Sequence, residues 1–349
     1  MSEVGAFKKL DEKDIVSTRT LLHEAIPITG TIIYGTYPEN NIKNPSHGMF
    51  QSVYDYPFLS SSANHIFDIT IGVSTQSNEY SGITSMQAKK RNVYNQMSQM
   101  LVGYDVTGSI LEFDDDGNIL AGGAKIREAI IIPFARLLVK DEIKKGTFSM
   151  TLGAGQAYAN PWASTMTITD TSGSNGYFVN SPVGEYGLLY AESPVSGHTK
   201  CGLLYYQAGI AVLTASVLTT LIRADGNVYL DETAANNFDK LLSGSTIQTI
   251  ATAVRQRIQN IQFNNTTELN STIYFCRANH DEFNYSTNPT YLSNSKIRVK
   301  TNSTDEPISY ITTIGMYNDN NELMAVAKLS EPLKKTPSTE FTIRCRLDY

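Results

Sequence analysis

The sequence of 349 residues is short of charge, of cysteine and of tryptophan. Charged residues make up 18%, below the quarter or so usual in a soluble domain. The formal net charge is -6. A mild acidic balance without a basic stripe argues against a nucleic-acid binder, which has to neutralise phosphates. The three cysteines, Cys201, Cys276 and Cys345, are far apart, odd in number and form no CxxC pair. They argue against a disulfide framework, so folding in a reducing cytosol is expected. Cys276 follows Thr272-Ile273-Tyr274-Phe275, and Cys345 lies within Phe341-Thr342-Ile343-Arg344-Cys345-Arg346. Both read as ordinary strand residues. Residues 1–21 are polar and carry no apolar core of a secretory signal, so none is expected. The most apolar stretch, 201–221, is interrupted by Gly, Gln and Thr. It reads as core strands rather than a membrane span. Without a signal, the Asn-x-Ser/Thr triplets at Asn264, Asn265, Asn270, Asn284 and Asn302 carry no weight.

Chemical motifs are scarce as well. His23, His47, His65, His198 and His280 are never three or four residues apart and form neither HExxH nor HxH. Exposed or hydrogen-bonded loop histidines are expected rather than a zinc site. The run Glu112-Phe113-Asp114-Asp115-Asp116-Gly117 fails as a calcium loop. Counted from Glu112, the position needing a bidentate Glu is Gly123; counted from Asp114, Ile119 stands where the turn Gly belongs. Gly103 to Gly108, Gly122-Gly123 and Gly153-Ala154-Gly155 form no Walker loop and read as turns. No Gly-x-Ser-x-Gly elbow occurs, and Asp231-Glu232 and Asp281-Glu282 are glycosidase candidates only as any acids would be. The expectation is a protein that is not an enzyme and binds no cofactor and no metal.

What is present is β-forming sequence. Hydrophobic residues are 41%, and twenty Tyr stand among many Asn, Ser and Thr. Such a surface suits protein interfaces, because Tyr offers area with few rotors and uncharged polar groups desolvate cheaply. A codon bias would give the same composition. The expected fold class is mainly β with two or three helices (α+β), in antiparallel, sandwich-like sheets. Residues 1–25 read as an N-terminal arm, 26–242 as a main β-rich domain with one inserted helix, and 243–349 as a helix plus a C-terminal antiparallel β domain, with the boundary near Ser243.

Met86, Val93, Met97, Met100 and Leu101 predict a helix over Ser85–Leu101, with Arg91, Asn92, Asn95 and Gln99 outward and Lys90 intruding on the apolar side. Ile247, Ile250, Val254, Ile258 and Ile261 predict a second helix, capped by Ser245 and flanked by Arg255 and Arg257. Strands are expected at 29–37, 64–73, 129–132, 147–152, 164–168, 186–190, 203–213, 271–277, 296–300, 309–317, 323–329 and 340–347. Residues 40–62 read as a loop. Hairpin turns are expected at Asp114 to Asn118 (returning through Ile119-Leu120), at Ala224 to Asn227 and at Asn318 to Asn321.

The final hairpin carries the most information. Tyr310-Ile311-Thr312-Thr313-Ile314-Gly315-Met316-Tyr317 turns through Asn318-Asp319-Asn320-Asn321-Glu322 and returns as Leu323-Met324-Ala325-Val326-Ala327-Lys328. A link containing Pro332 and a closing strand 341–347 follow. The arrangement resembles phage tail structural proteins, in which "I-G-L-Y/F" turns into "L-[IL]-A-V-A", then a Pro-containing link and a last strand. Met316 and Met324 depart from the commonest residues. Tyr54-Asp55-Tyr56-Pro57, Gly184 to Tyr190 and Phe283 to Tyr291 are weaker echoes. Together they resemble virion structural proteins (tail, baseplate or neck) of contractile-tailed bacteriophages, including marine ones.

The resemblance implies a structural subunit made in the host cytoplasm and located in the virion, in the tail or baseplate. Its partners would be other virion proteins and copies of itself, with no nucleic acid and no membrane. A neck or collar subunit is the alternative. So is a host-receptor or glycan-binding virion protein, using loops at 158–162 and 283–291. Candidate partner-contact residues are Tyr317, Tyr349, Tyr285, Tyr291 and Trp162. A terminal strand ending at Asp348-Tyr349 either closes a sheet internally or offers an edge to a neighbour.

Overall fold

The chain's structure, a computed structural model, describes residues 7–27, 39–82, 84–119, 124–154, 162, 164–170, 177–193, 197–217, 242–286, 289–294, 296–298, 300 and 302–349. The strands are β1 (Ile15–Pro27), β2 (Ile42–Lys43), β3 (Gln51–Tyr54), β4 (His65–Val73), β5 (Phe113–Asp114), β6 (Lys125–Ile126), β7 (Glu128–Pro133), β8 (Glu142–Ile143), β9 (Ser149–Ala154) and β10 (Ser164–Thr169). They continue as β11 (Phe178–Ser181), β12 (Gly184–Ser193), β13 (Gly197–Tyr205), β14 (Ile210–Thr214), β15 (Ile258–Ala278), β16 (Leu292–Ser293), β17 (Lys296–Ile297), β18 (Ser309–Tyr317), β19 (Leu323–Lys335) and β20 (Phe341–Asp348). Three α-helices lie wholly within the described residues: α1 (Ser85–Leu101), α2 (Arg136–Val139) and α3 (Ile247–Arg255). The chain is mainly β with a helical minority, and its sheets are antiparallel, as the residue patterns predict. The expected strand at 29–37 and the turn at Ala224 to Asn227 lie outside the described residues.

Two compact units form, one from Leu22–Thr267 and one from Met1–Leu21 with Glu268–Tyr349. In the larger unit an antiparallel sheet runs in the order β15-β9-β10-β12-β13-β14-β7-β4-β3-β2. β4, β7 and β14 read as nearly unbroken apolar runs and are buried almost throughout. That is the signature of strands covered on both faces. Phe134 anchors the core, with its ring 6.4 Å from Phe67, 5.9 Å from Phe148 and 5.3 Å from Phe263. α1 packs on β4, and α3 packs on β3 and β4. The expected boundary near Ser243 falls just before α3, whose packing partners belong to this unit.

α1 occupies the residues its pattern predicts, and the hydroxyl of Thr84 caps it by accepting from the Gln87 N–H at 3.3 Å. Its buried face is rotated from the Met stripe. Gln87, Lys90, Val93, Tyr94, Ser98 and Leu101 are buried, while Met100 is exposed. The cause is a close crossing over β4. A Cβ on Gly72 would sit 2.9 Å from the Tyr94 Cα, so this glycine lets the helix backbone approach. Lys90 goes further than burying its stem. The whole residue is enclosed, and its ammonium donates to the Leu242 carbonyl. Burial lowers its pKa to about 8.

The second helix is shorter than its spacing predicts. Thr246 rather than Ser245 caps it, accepting from the Thr249 N–H at 3.2 Å, and it ends at Arg255. Ile258 and Ile261 lie on β15 instead, opposite Leu152 and Met150. A bulge between Ile258 and Asn260 puts both on the core face, so a strand reproduces a three-residue spacing. The arginines expected to flank the helix are buried. Arg255 donates to Glu39 at 2.9 Å, and Arg257 stacks over Trp162 at 5.4 Å.

Other departures are local. The expected strand 203–213 is a hairpin, β13 and β14, turning at Gly209 (φ 65°), where a Cβ would meet Val139 at 2.6 Å. The loop expected at 40–62 contains β2 and β3; β2 pairs with β3, and β3 pairs with β4. The residues expected as an arm include β1, a strand beside β15. The Pro332 link is part of β19.

In the smaller unit, the order is β1-β15-β20, with β15 and β20 in register from Ser271↔Asp348 to Ala278↔Phe341. Buried Asp14 accepts from Arg277 at 2.7 Å, and Arg19 pairs with Glu268. The last residue is zipped in, because Asn270 and Tyr349 exchange backbone hydrogen bonds of 2.9 and 3.2 Å. β18 and β19 form a separate two-stranded sheet, as do β16 and β17.

Candidate interaction surface

The β18–β19 hairpin is fixed at both ends. At the turn, the Asn318 side-chain oxygen accepts N–H groups from Asn320 at 3.0 Å and Glu322 at 2.8 Å, and Asn321 takes the left-handed conformation (φ 59°) that Asn tolerates. At the base, the buried Lys335 ammonium donates to the His280 and Thr336 carbonyls and the Asn284 side-chain oxygen, at 3.2, 2.9 and 2.9 Å. Its pKa is lowered by this burial, against the pull of Asp281, Glu340 and Glu282. Ser309 donates to the Phe283 carbonyl at 2.6 Å. Between the ends the register shifts from Ile311↔Leu333 to Thr313↔Lys328. β19 thus accommodates Leu329-Ser330-Glu331-Pro332 at the irregularity, where a proline costs no regular ladder bond.

Beyond the shift, Ile314 pairs with Ala327, Gly315 with Val326 and Met316 with Ala325. Ile314, Met316, Ala325 and Ala327 share one half-buried face. The other face is exposed, carrying Thr313 opposite Lys328 and an apolar cluster nearer the turn. Tyr317 and Leu323 fold over Gly315, their nearest atoms 3.1 and 3.2 Å from where a Cβ would stand. Tyr317 is 57% exposed, Leu323 52%, Met324 68% and Val326 58%. The free edges differ in chemistry. β18, Ser309–Tyr317, has no charged residue and no proline, whereas β19 carries Lys328, Glu331, Pro332 and Lys334, and β20 carries Arg344, Arg346 and Asp348. Charge and proline are the usual guards of an edge against pairing. Among the described residues, only β19 pairs with β18.

The five expected contact residues fall on different elements. Tyr317 lies on the hairpin's exposed face, and Tyr285 is exposed on the loop that Lys335 fastens. Tyr291 is half-buried at the end of a short 3-10 turn. Tyr349 has an exposed ring, with its hydroxyl 3.0 Å from the Thr272 hydroxyl. Trp162 belongs to the larger unit and lies half-buried against Gly153 and Arg257. Most of the loop around it, 155–161, lies outside the described residues. The sequence motif contained Leu323, Met324 and Val326 without marking them as surface residues. An apolar run on both faces of a short strand was the available signal.

The acidic run forms a turn, although its return strand is β6 rather than Ile119-Leu120. The Asp114 carboxylate accepts the N–H groups of Asp116 and Gly117 at 2.9 and 3.1 Å and pairs with Lys125. Burial alone would raise its pKa, but the bonds from Asp116 and Lys125 outweigh it and hold the group below its ordinary value. The carboxylates of Asp114, Asp115 and Asp116 lie within 4.8 Å of one another. His47, His65 and His280 each bond locally, to the Met49 N–H, Asp68 and Glu340. No helix among the described residues is long and apolar enough to cross a membrane.

Compared with known proteins, the chain matches no family model, no curated protein and no solved structure.

Proposed function

We propose that this chain is a non-enzymatic structural subunit of a tailed-phage virion, built into the tail or baseplate and held there by strand-to-strand and apolar contacts with neighbouring subunits. The observation that carries the reading is the β18–β19 hairpin. An isolated two-stranded sheet is marginal in water, and a third strand or a covering layer is what usually stabilises it. Here the hairpin is clamped at turn and base, leaves Tyr317, Leu323, Met324 and Val326 exposed, and offers the one charge-free edge among β18, β19 and β20. Those features fit a subunit whose neighbour adds a strand to β18. The residues of this hairpin also carry the resemblance to phage tail proteins.

The test is a particle map. Virions purified from the host that carries this gene should contain the chain, in a ring of three- or sixfold symmetry in the tail, with a neighbouring strand on β18. A stable monomer absent from intact particles would end the proposal, and placement in the collar would move it to the neck. Isolated protein that adheres to host cells or glycans would favour a receptor binder.

A further inference from the structure

Cys276 on β15 and Cys345 on β20 stand on one face of the antiparallel pair. Cys276 is opposite Ile343 and Cys345 is opposite Tyr274, which makes the two cysteines diagonal neighbours projecting to the same side. The Cys345 thiol stands near enough to add to the upward shift of the Cys276 pKa. Cys345 is buried and Cys276 is half-buried. Burial, and then the adjoining Cys345 thiol, push the Cys276 thiol up to about 11. Little thiolate therefore forms at neutral pH, and the pair stays reduced until an oxidant is supplied in quantity.

We propose that Cys276 and Cys345 are a redox pair, which a small-molecule disulfide such as oxidised glutathione converts into an intramolecular disulfide stapling β20 to β15. The Cys276 thiolate attacks one sulfur of the oxidant, whose S–S bond breaks and releases one reduced glutathione. The Cys345 thiolate then attacks the Cys276 sulfur of the mixed disulfide and expels the second. Two electrons pass from the protein sulfurs to the oxidant, and the two thiol protons end on the released glutathione thiols. Because the two cysteines are diagonal neighbours on one face of the pair, closure needs side-chain rotation and a strand adjustment that draws their Cα atoms into disulfide range. The bond would close the long segment that carries the β18–β19 hairpin, restricting the unfolded chain. The pair would remain open in a reducing cytosol and lock in an oxidising medium. This inference stands apart from the proposed function, since it concerns only the smaller unit's own chemistry.

The full chain, first reduced, is incubated with oxidised glutathione, blocked with an alkylating agent and digested without reductant. The expected result is a mass loss of two hydrogens, a peptide linking Cys276 to Cys345, and a raised melting temperature that reductant reverses. Cys201, buried in the larger unit, should be alkylated only after denaturation. Cys276→Ser and Cys345→Ser should each abolish the linked peptide, the latter leaving a glutathione adduct on Cys276. A wild-type adduct on Cys276 that never resolves onto Cys345, a link through Cys201, or two thiols that survive excess oxidant would each overturn the proposal.

Discussion

The two units use strands in opposite ways. In Leu22–Thr267, β4, β7 and β14 bury both of their faces, and α1 and α3 lie across the sheet. In the unit containing Glu268–Tyr349, β18 and β19 keep one face half-buried and expose the other, and one of their edges lacks any charge. The first pattern closes a core within the chain. The second leaves apolar side chains and an uncharged strand edge exposed. The difference is one of completeness, because strand-forming sequence is equally strong in both.

Mutations should separate the two. The largest effect belongs to the closed core. Phe67→Ala removes a fully buried ring in contact with Phe134 and should cost about 3–5 kcal/mol in denaturant unfolding. Next, Lys335→Met leaves three acceptors without their donor at the hairpin base and should cost about 1–3 kcal/mol, read as faster exchange of the 279–286 amides. Thr313→Lys, on the uncharged edge, should leave the free protein's stability within about 0.5 kcal/mol and yet exclude the chain from particles. An unchanged particle content would break the comparison. Met100→Lys, on the exposed side of α1, should change neither stability nor incorporation by more than about 0.5 kcal/mol.

A pH effect belongs to the larger unit. Asp170 is buried, and burial raises its carboxyl pKa despite donors from Gly146, Tyr206 and Phe148. The folded chain then binds that proton more tightly than the unfolded chain. The group's contribution to stability should fall as pH rises from its ordinary value of 3.8 through the raised folded value. Asp170→Asn should remove that fall from denaturant midpoints measured across the same interval.

Elements set by local chemistry were legible in the sequence. α1 occupies the residues its period predicts, and the final hairpin has its Asn-rich turn. The misread elements depend on non-local geometry. Ile258 and Ile261 continue a helical period only because a bulge aligns them on β15. Gln87 and Lys90 are buried because Gly72 draws α1 onto β4, which no window of α1 reveals. The candidate surface shows the same division. Tyr317 and the motif around it stand in the sequence, but the absence of charge matters only once β18 is seen to be an edge. Trp162 stands in the sequence as a candidate contact aromatic, whereas its packing against Gly153 and Arg257 is visible only in the structure.

The claim that β18 is completed by a neighbour is tested most directly by hydrogen exchange at its backbone amides, compared between the free chain and intact particles. The account predicts rapid exchange from Thr313 to Tyr317 in the free chain and strong protection in the particle, while β4 and β7 stay protected in both. Equal exchange of β18 in the two states would contradict it.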